Sequence, residues 1–232
     1  MKIETTRWVG NGGGAIWPII KILCNSTMVK DAHSIDMGCG CGILGLQAIK
    51  EGYATSVVLC DIDQEAVEVT NSNILVNGYQ NSCTAIQADT WDCVETGKKI
   101  YDVKKFNLMI GSLPLTWTTD YVPPNDINPF RQIDINYEFH MRLASDISDA
   151  MEPESFLIMC DFWKPPSRWL ELMNEKCHLT TTIIPSCRSL WKNTSNDVIL
   201  KYVGKPIDGI DMHNDVDNLE GNHIVVRLWQ VR

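Results

Sequence analysis

Residues 34–46 read SIDMGCGCGILGL. A short apolar run, His33 to Met37, carries a single acid at Asp36. It breaks into glycines at every second position, Gly38, Gly40 and Gly42, and apolar residues then resume at helical spacing from Ile43 to Lys50. Gly52 stands where a helix C-cap belongs. The pattern predicts a buried strand, a turn that brings backbone close to something else, and a helix. A strand that enters a helix through a glycine turn is the opening half of a βαβ unit, and so the chain is expected to be α/β.

The neighbouring segments agree. SVVLCDID, ending in Asp61 and Asp63, is a second β-branched strand. Asp63 then caps a helix whose buried stripe is Ala66, Val67, Val69, Ile74 and Leu75, closed by Asn77-Gly78. CTAIQAD and FNLMIGSLP read as further strands. NYEFHMRLASDISDAM reads as a helix, SFLIMCDF as a strand, PSRWLELMNEKC as a helix, and LTTTIIPS, DVILKYVG and HIVVRLWQVR as strands. Upstream, GNGGG reads as a flexible loop, and Pro18 suits the first position of a helix over 17–23. The alternation predicts a mainly parallel sheet with helices on both faces, with any ligand at the C-terminal ends of the strands.

Composition narrows the function classes. The 232 residues suit one domain, 1–232, with a loop and helix over 1–30, a substrate lid over 115–135 and an acidic loop over 205–222. The net charge of −9 and the lack of an evident Lys/Arg cluster speak against a dedicated nucleic-acid binder. No apolar run reaches the roughly 18 residues of a membrane span, and MKIETTRWVG has no signal-like core. The nine scattered cysteines, with no C-x-x-C and several inside strands (Cys60, Cys160), predict a reducing, cytoplasmic setting. The acids Asp208, Asp211, Asp215, Asp217 and Glu220 lack calcium-loop spacing and read as a solvated loop.

Three ligands fit the glycine turn in principle. Cys39 and Cys41 lack partners at zinc spacing, so no metal is expected. Gly40, Gly42 and Gly45 satisfy G-x-G-x-x-G, with Asp61 about 20 residues on, as a dinucleotide site requires. But Asp36 at the strand end would repel a pyrophosphate, whereas it suits a cationic sulfonium with an ammonium group. That position favours S-adenosylmethionine (SAM).

SIDMGCGCGILGLQAIKEG followed by VVLCDIDQEAVEVTNSNILVNG resembles the class I SAM-dependent methyltransferases, over about Gly12 to Pro114. GILGLQAIKEG and DIDQEAV are similar to the ribosomal protein L11 lysine methyltransferases. FNLMIGSLPL through NYEFHMRL is similar in layout to the release-factor glutamine N5-methyltransferases. GGGAIWP resembles small eukaryotic-type protein lysine methyltransferases. The resemblance implies a Rossmann-like, doubly wound, seven-stranded sheet. It implies that Gly38, Cys39 and Gly40 approach the methionine part of SAM. Asp61, with Ile62 beside it, would take the ribose hydroxyls, which match a carboxylate's two acceptor oxygens. Asp89 would take the adenine amino group, with Thr90 and Trp91 at its border. Ser112, Leu113, Pro114 and Leu115 stand where amino-methylating relatives carry Asn-Pro-Pro-Tyr or Asp-Pro-Pro-Tyr, so the first three are the expected catalytic positions, Ser112 also touching the cofactor. The loss of the aromatic removes a stacking platform for a flipped base. Trp8, Trp17 and Trp117 offer apolar surface to an acceptor, Tyr121 belongs to the lid, and His140 reads as structural rather than as a general base.

The expected function is SAM-dependent N-methylation of a protein side chain, with a small-molecule N- or O-acceptor as the alternative. An NAD-dependent oxidoreductase using Gly40, Gly42 and Gly45, and a non-catalytic SAM-binding partner subunit, are the other classes.

Overall fold

The structure of the chain, a computed structural model, describes residues 1–6, 12–113, 134, 137–162, 165–185, 200–204 and 224–232. Its elements are α1 (Gly12–Thr27), β1 (Ala32–Met37), α2 (Ile43–Lys50), β2 (Ala54–Asp61), α3 (Gln64–Asn77), β3 (Cys83–Gln87), α4 (Thr90–Tyr101), β4 (Phe106–Ser112), α5 (Glu138–Ala150), β5 (Met151–Phe162), α6 (Ser167–Lys176), β6 (Cys177–Pro185), β7 (Leu200–Gly204) and β8 (Ile224–Val231). All eight strands form one sheet in the order β3-β2-β1-β4-β5-β8-β6-β7. The five strands from β3 to β5 pair in parallel. β8 lies antiparallel between β5 and β6, and β7 is antiparallel on the outer side of β6. The fold is therefore the expected Rossmann-like α/β sheet, the seven strands enlarged by one to eight.

The central strands are buried on both faces, so their sequences read as continuous apolar runs rather than alternations. Val57, Leu59, Leu108, Ile110 and Ile158 face one core with α1, α2 and α3. Val58, Cys60, Met109, Leu157 and Met159 face the other with α4, α5 and α6. The eight described cysteines are all buried. No helix among the described residues is long and apolar enough to cross a membrane.

Several expectations are corrected. α1 begins at Gly12, so Gly12 to Gly14 are helical rather than loop, and Pro18 lies inside the helix rather than at its first position. An interior proline costs about 3 kcal/mol in an isolated helix. Here Ile16, Trp17, Ile19, Ile20, Leu23 and Cys24 are all buried, and packing of that extent outweighs the penalty. Trp17 is thus core and presents no surface to an acceptor. Leu75, assigned to the buried stripe of α3, is 63% exposed. Four lysines, Lys98, Lys99, Lys104 and Lys105, do cluster in the sequence KKIYDVKK. Two of them act locally: Lys98 Nζ donates to Asp149 O at 2.9 Å and Lys105 Nζ to Ser148 O at 2.7 Å, which satisfies the C-terminal carbonyls of α5, a helix with no basic residue in its own last turn.

α4 had no sequence signal. Gly97 in its middle is a poor helix former, and its role is spacing. A Cβ on Gly97 would sit 2.5 Å from Val58 Cγ2 and 3.0 Å from Phe106 Cζ. Glycine lets α4 lie directly on the sheet. Gly97→Ala should therefore destabilise the chain by about 1–3 kcal/mol, although alanine is the better helix former by about 1 kcal/mol. Urea denaturation at equilibrium measures the sign; a stabilised variant would show that α4 is free to lift.

Candidate functional site

In a sheet of order β3-β2-β1-β4-β5 the chain reverses its direction of winding between β1 and β4, which opens a crevice beyond their C-terminal ends. The glycine turn lies there. Cys39 N–H donates to Cys60 O at 2.9 Å, so the turn starts as an extension of the β1–β2 ladder. Gly40 and Gly42 then take left-handed backbone, φ 55 and 78. A Cβ on Gly42 would press to 2.8 Å from Thr70 Cγ2, whereas one on Gly40 would meet nothing within 4 Å. Gly40 is therefore the point at which bare backbone faces open space.

Two carboxylates hold this loop. Asp36, 1% exposed, lies beneath it, and its Oδ2 accepts the Gly45 N–H at 2.8 Å, capping the first turn of α2 from the preceding strand. Its Oδ1 has no hydrogen-bond partner among the described residues. Burial drives its pKa from 3.8 to about 7, the Gly45 N–H opposing this and the nearby Asp61 charge adding to it. Asp61 ends β2; its Oδ2 accepts the Gly40 N–H at 2.9 Å and its Oδ1 the Asp63 N–H at 3.0 Å. Burial raises its pKa too, against those backbone hydrogen bonds. Both oxygens thus serve the loop while each keeps a second lone pair for a ligand. Asp63 caps α3 as expected, accepting from Glu65 N and Ala66 N.

From the other side α3 holds the loop by its carbonyls. Thr70 Oγ1 donates to Gly40 O at 2.8 Å, and Asn73 Nδ2 to Cys41 O at 2.9 Å. Sequence reasoning missed both residues. Their signal is polar side chains at i and i+3 on the buried face of TNSN, where only bonded polar groups are tolerated. Cys39 is buried, its Sγ 3.7 Å from Thr70 Oγ1, so its backbone rather than its thiol borders the crevice.

Beyond β2 and β3, Ile62 is 49% exposed at the crevice rim. Asp89 directly precedes α4, and its Oδ2 lies 2.5 Å from Arg142 Nη1, both side chains half exposed. Arg142 is a third residue that sequence reasoning missed. Thr90 opens α4. Trp91 packs on the core beneath α4 and α5. Ser112 ends β4, half-buried, and its carbonyl is 3.9 Å from the position a Gly38 Cβ would take. Leu113 is buried and its Cδ2 lies 3.8 Å from that same position, so its side chain closes the crevice floor and only its backbone is available to a reactant. The geometry therefore brings together Gly38, Gly40, Asp61 and Ser112, with Asp36 underneath, and leaves Asp89 at the rim. Pro114, Tyr121, Trp8, Trp117 and the acidic loop 205–222 lie outside the described residues, as does the lid over 115–135 except for Asp134.

His140 is structural, as expected. It is fully buried, its Nδ1 2.6 Å from Asp134 Oδ2, stacked at 4.0 Å on Tyr137 and edge-on to Trp169 at 6.0 Å. Among the described residues no group of three or more metal-binding side chains occurs.

The family model for ribosomal protein L11 methyltransferase (PrmA) matches residues 20–111. A ribosomal protein L11 methyltransferase of Lactobacillus johnsonii is 25% identical over 176 residues, 75% of this chain and 51% of that protein. One of Acinetobacter baumannii is 50% identical over 78 residues, 34% of this chain and 26% of that protein. The chain thus spans about half the length, or less, of these curated relatives. The crystal structure of a ribosomal protein L11 methylase from Lactobacillus delbrueckii subsp. bulgaricus superposes with a TM-score of 0.54 at 16% identity, covering 96% of this chain and 81% of that one. The fold is that of the class I SAM-dependent methyltransferases, and the chain resembles the ribosomal protein L11 methyltransferases through the segment that carries the glycine turn.

The raised pKa of Asp36 has a consequence for stability. Its value in the fold lies above its unfolded value, so the fold prefers the protonated acid. The contribution is complete below about pH 4 and is lost as the pH rises through about 7. Asp36→Asn keeps an oxygen for the Gly45 N–H and carries no charge. The variant should gain on the order of 3 kcal/mol relative to the wild type between pH 5 and pH 8. Denaturation curves of both proteins across that range measure the difference; a constant difference would place an ionised Asp36 in the fold throughout.

Proposed function

We propose that this chain is a SAM-dependent methyltransferase, a single domain over 1–232 that N-methylates a protein side chain. One observation carries the cofactor half of the reading: at the switch point, bare backbone at Gly40 faces open space, above a buried carboxylate with an unpartnered oxygen and beside a second strand-end carboxylate. A pyrophosphate would meet two acids there. A cationic nucleoside would relieve the repulsion between Asp36 and Asp61 and stabilise both in ionised form.

In this reading Gly38 and Gly40 border the methionine part, Asp61 takes the ribose hydroxyls on its remaining lone pairs, and Ile62 covers one face of the adenine. Asp89 takes the adenine amino group by turning from Arg142. Bound SAM supplies an electrophilic methyl group on a sulfonium. The chain supplies orientation: Ser112, at the end of β4 and next to Gly38, accepts a hydrogen bond from the incoming amine and holds its lone pair in line. Leu113 excludes water from the floor of the site. The acceptor nitrogen must arrive uncharged, so its proton passes to solvent before transfer.

The likeness to ribosomal protein L11 methyltransferases supports a protein acceptor, and a net charge of −9 favours a cationic one over a polyanion. Buried thiols suit a reducing, cytoplasmic setting. The buried Leu113, where an amino-methylating site carries its first proline, favours a second reading, a SAM-binding partner subunit that does not catalyse.

Calorimetric titration with SAM, S-adenosylhomocysteine and NAD tests the cofactor. SAM should bind in the micromolar range and NAD should not. Asp61→Ala should weaken SAM by more than about tenfold, roughly 1.4 kcal/mol. NAD binding in place of SAM would return the glycines to a dinucleotide. Transfer of labelled methyl from SAM into a cell extract tests the acceptor: label removed by protease supports the proposal, label removed by ribonuclease overturns the protein acceptor, and binding without transfer favours the partner subunit.

A further inference from the structure

The first six residues lie along α3, and the way they are fastened reaches the glycine loop. Asn77 Oδ1 accepts the Lys2 N–H at 2.9 Å, and its Nδ2 donates back to Lys2 O at 2.7 Å. Asn73 repeats the pairing one turn earlier: its Oδ1 accepts the Glu4 N–H at 2.6 Å, and its Nδ2 donates to Glu4 O at 3.0 Å. The match is geometric. Two residues of extended chain advance about 6.7 Å and four residues of helix about 6.0 Å, so asparagines at i and i+4 meet alternate peptide units of a strap that runs antiparallel to the helix. Ser72 Oγ adds a bond to the Glu4 carboxylate at 2.8 Å, and Thr6 bonds Glu65. Ile3, between the two paired residues, packs against the same core as Val69.

Asn73 differs from Asn77 in one respect. It is fully buried, and its amide also donates to Cys41 O at 2.9 Å, within the glycine loop. An asparagine amide has one oxygen and two N–H groups. Here the oxygen and one N–H are committed to the strap and the other N–H to the loop. Its plane is therefore fixed by both at once. Unseating the strap would free two of its three bonds and let the side chain rotate away from Cys41, one residue from the Gly40 carbonyl that Thr70 holds.

We propose that Asn73 is a positioning residue that couples the N-terminal strap to the cofactor loop, so that a seated strap and a ligand-ready loop are favoured together. This rests on the reading that the loop takes SAM. The coupling must then be reciprocal: whatever factor the seated strap adds to ligand affinity, the ligand adds to the seating of the strap.

The full-length chain is titrated with S-adenosylhomocysteine, and amide hydrogen exchange at Glu4 is followed with and without saturating ligand. Asn77→Ala is titrated in parallel, because Asn77 fastens the strap and does not touch the loop. Saturating S-adenosylhomocysteine should slow exchange at the Glu4 amide by about threefold or more, and Asn77→Ala should weaken its binding by a matching factor. A merely structural role of Asn73 would leave Glu4 exchange independent of ligand. Wild-type binding with unchanged Glu4 exchange and an unaffected Asn77→Ala variant would overturn the coupling while the cofactor reading stands. Protection of Glu4 without weaker binding by the variant breaks reciprocity and overturns the coupling too. No binding by the wild type would overturn the cofactor reading itself, and the coupling with it.

Discussion

Two acids at the ends of adjacent parallel strands hold one loop by its N–H groups, and the rest of the site depends on that arrangement. β1 and β2 pair with Asp36 opposite Leu59 and Met37 opposite Cys60, so the strand ends stay level and the carboxylates of Asp36 and Asp61 fall on the same side of the turn. Asp36 finds one amide, Gly45, and Asp61 finds two, Gly40 and Asp63. Both suffer desolvation, which the neutral N–H groups only partly offset, and the charge of Asp61 raises the pKa of Asp36 further. The unliganded site is thus electrostatically frustrated in one direction. Positive charge would settle it and further negative charge would worsen it, which is why the same glycine spacing that a dinucleotide site uses points here to a different ligand.

Much of this half was legible in the sequence because its signals are local. Asp63 as a cap, Gly78 as a stop and the apolar runs of β1, β2 and β4 depend on neighbours within a few residues. What failed was decided over longer distances. α4 carries no clear local signal, because its central Gly97 is a poor helix former and only Val58 and Phe106, far along the chain, show why a glycine is needed. Pro18 reads as a helix start because propensity places it there, and the burial of six neighbouring side chains overrides it. Of the site, the strand-end acids and the glycines were legible, since their places follow from the strand–turn–helix grammar. Thr70, Asn73 and Arg142 were not, because a polar residue on a helix shows its partner only once the helix is docked.

The start of α5 is built differently. Its described anchor is Asp134, buried, which accepts the Phe139 and His140 N–H groups at 2.9 and 3.1 Å and meets His140 Nδ1 at 2.6 Å. These bonds occupy the donors that open α5, and they hold Tyr137 in left-handed backbone at φ 62, a conformation that costs a non-glycine residue of order 1 kcal/mol or more. The stack of Tyr137 on His140, with Trp169 edge-on to both and Trp229 edge-on to Trp169, supplies the packing that outweighs it. A histidine so enclosed orders a helix start and is closed off from solvent.

Asp89 shows how magnitude decides between two partners. Its pair with Arg142 is short, yet the side chains are 50% and 51% exposed, and ion pairs of that kind contribute at most about 1 kcal/mol. A hydrogen bond from a ligand amino group to the same charged carboxylate would be worth about 1.5–3 kcal/mol. The carboxylate also has four lone-pair sites, so sharing is open to it as well as exchange. The pairing is therefore a weak hold on a group that, in the proposed reading, the adenine amino group would outbid.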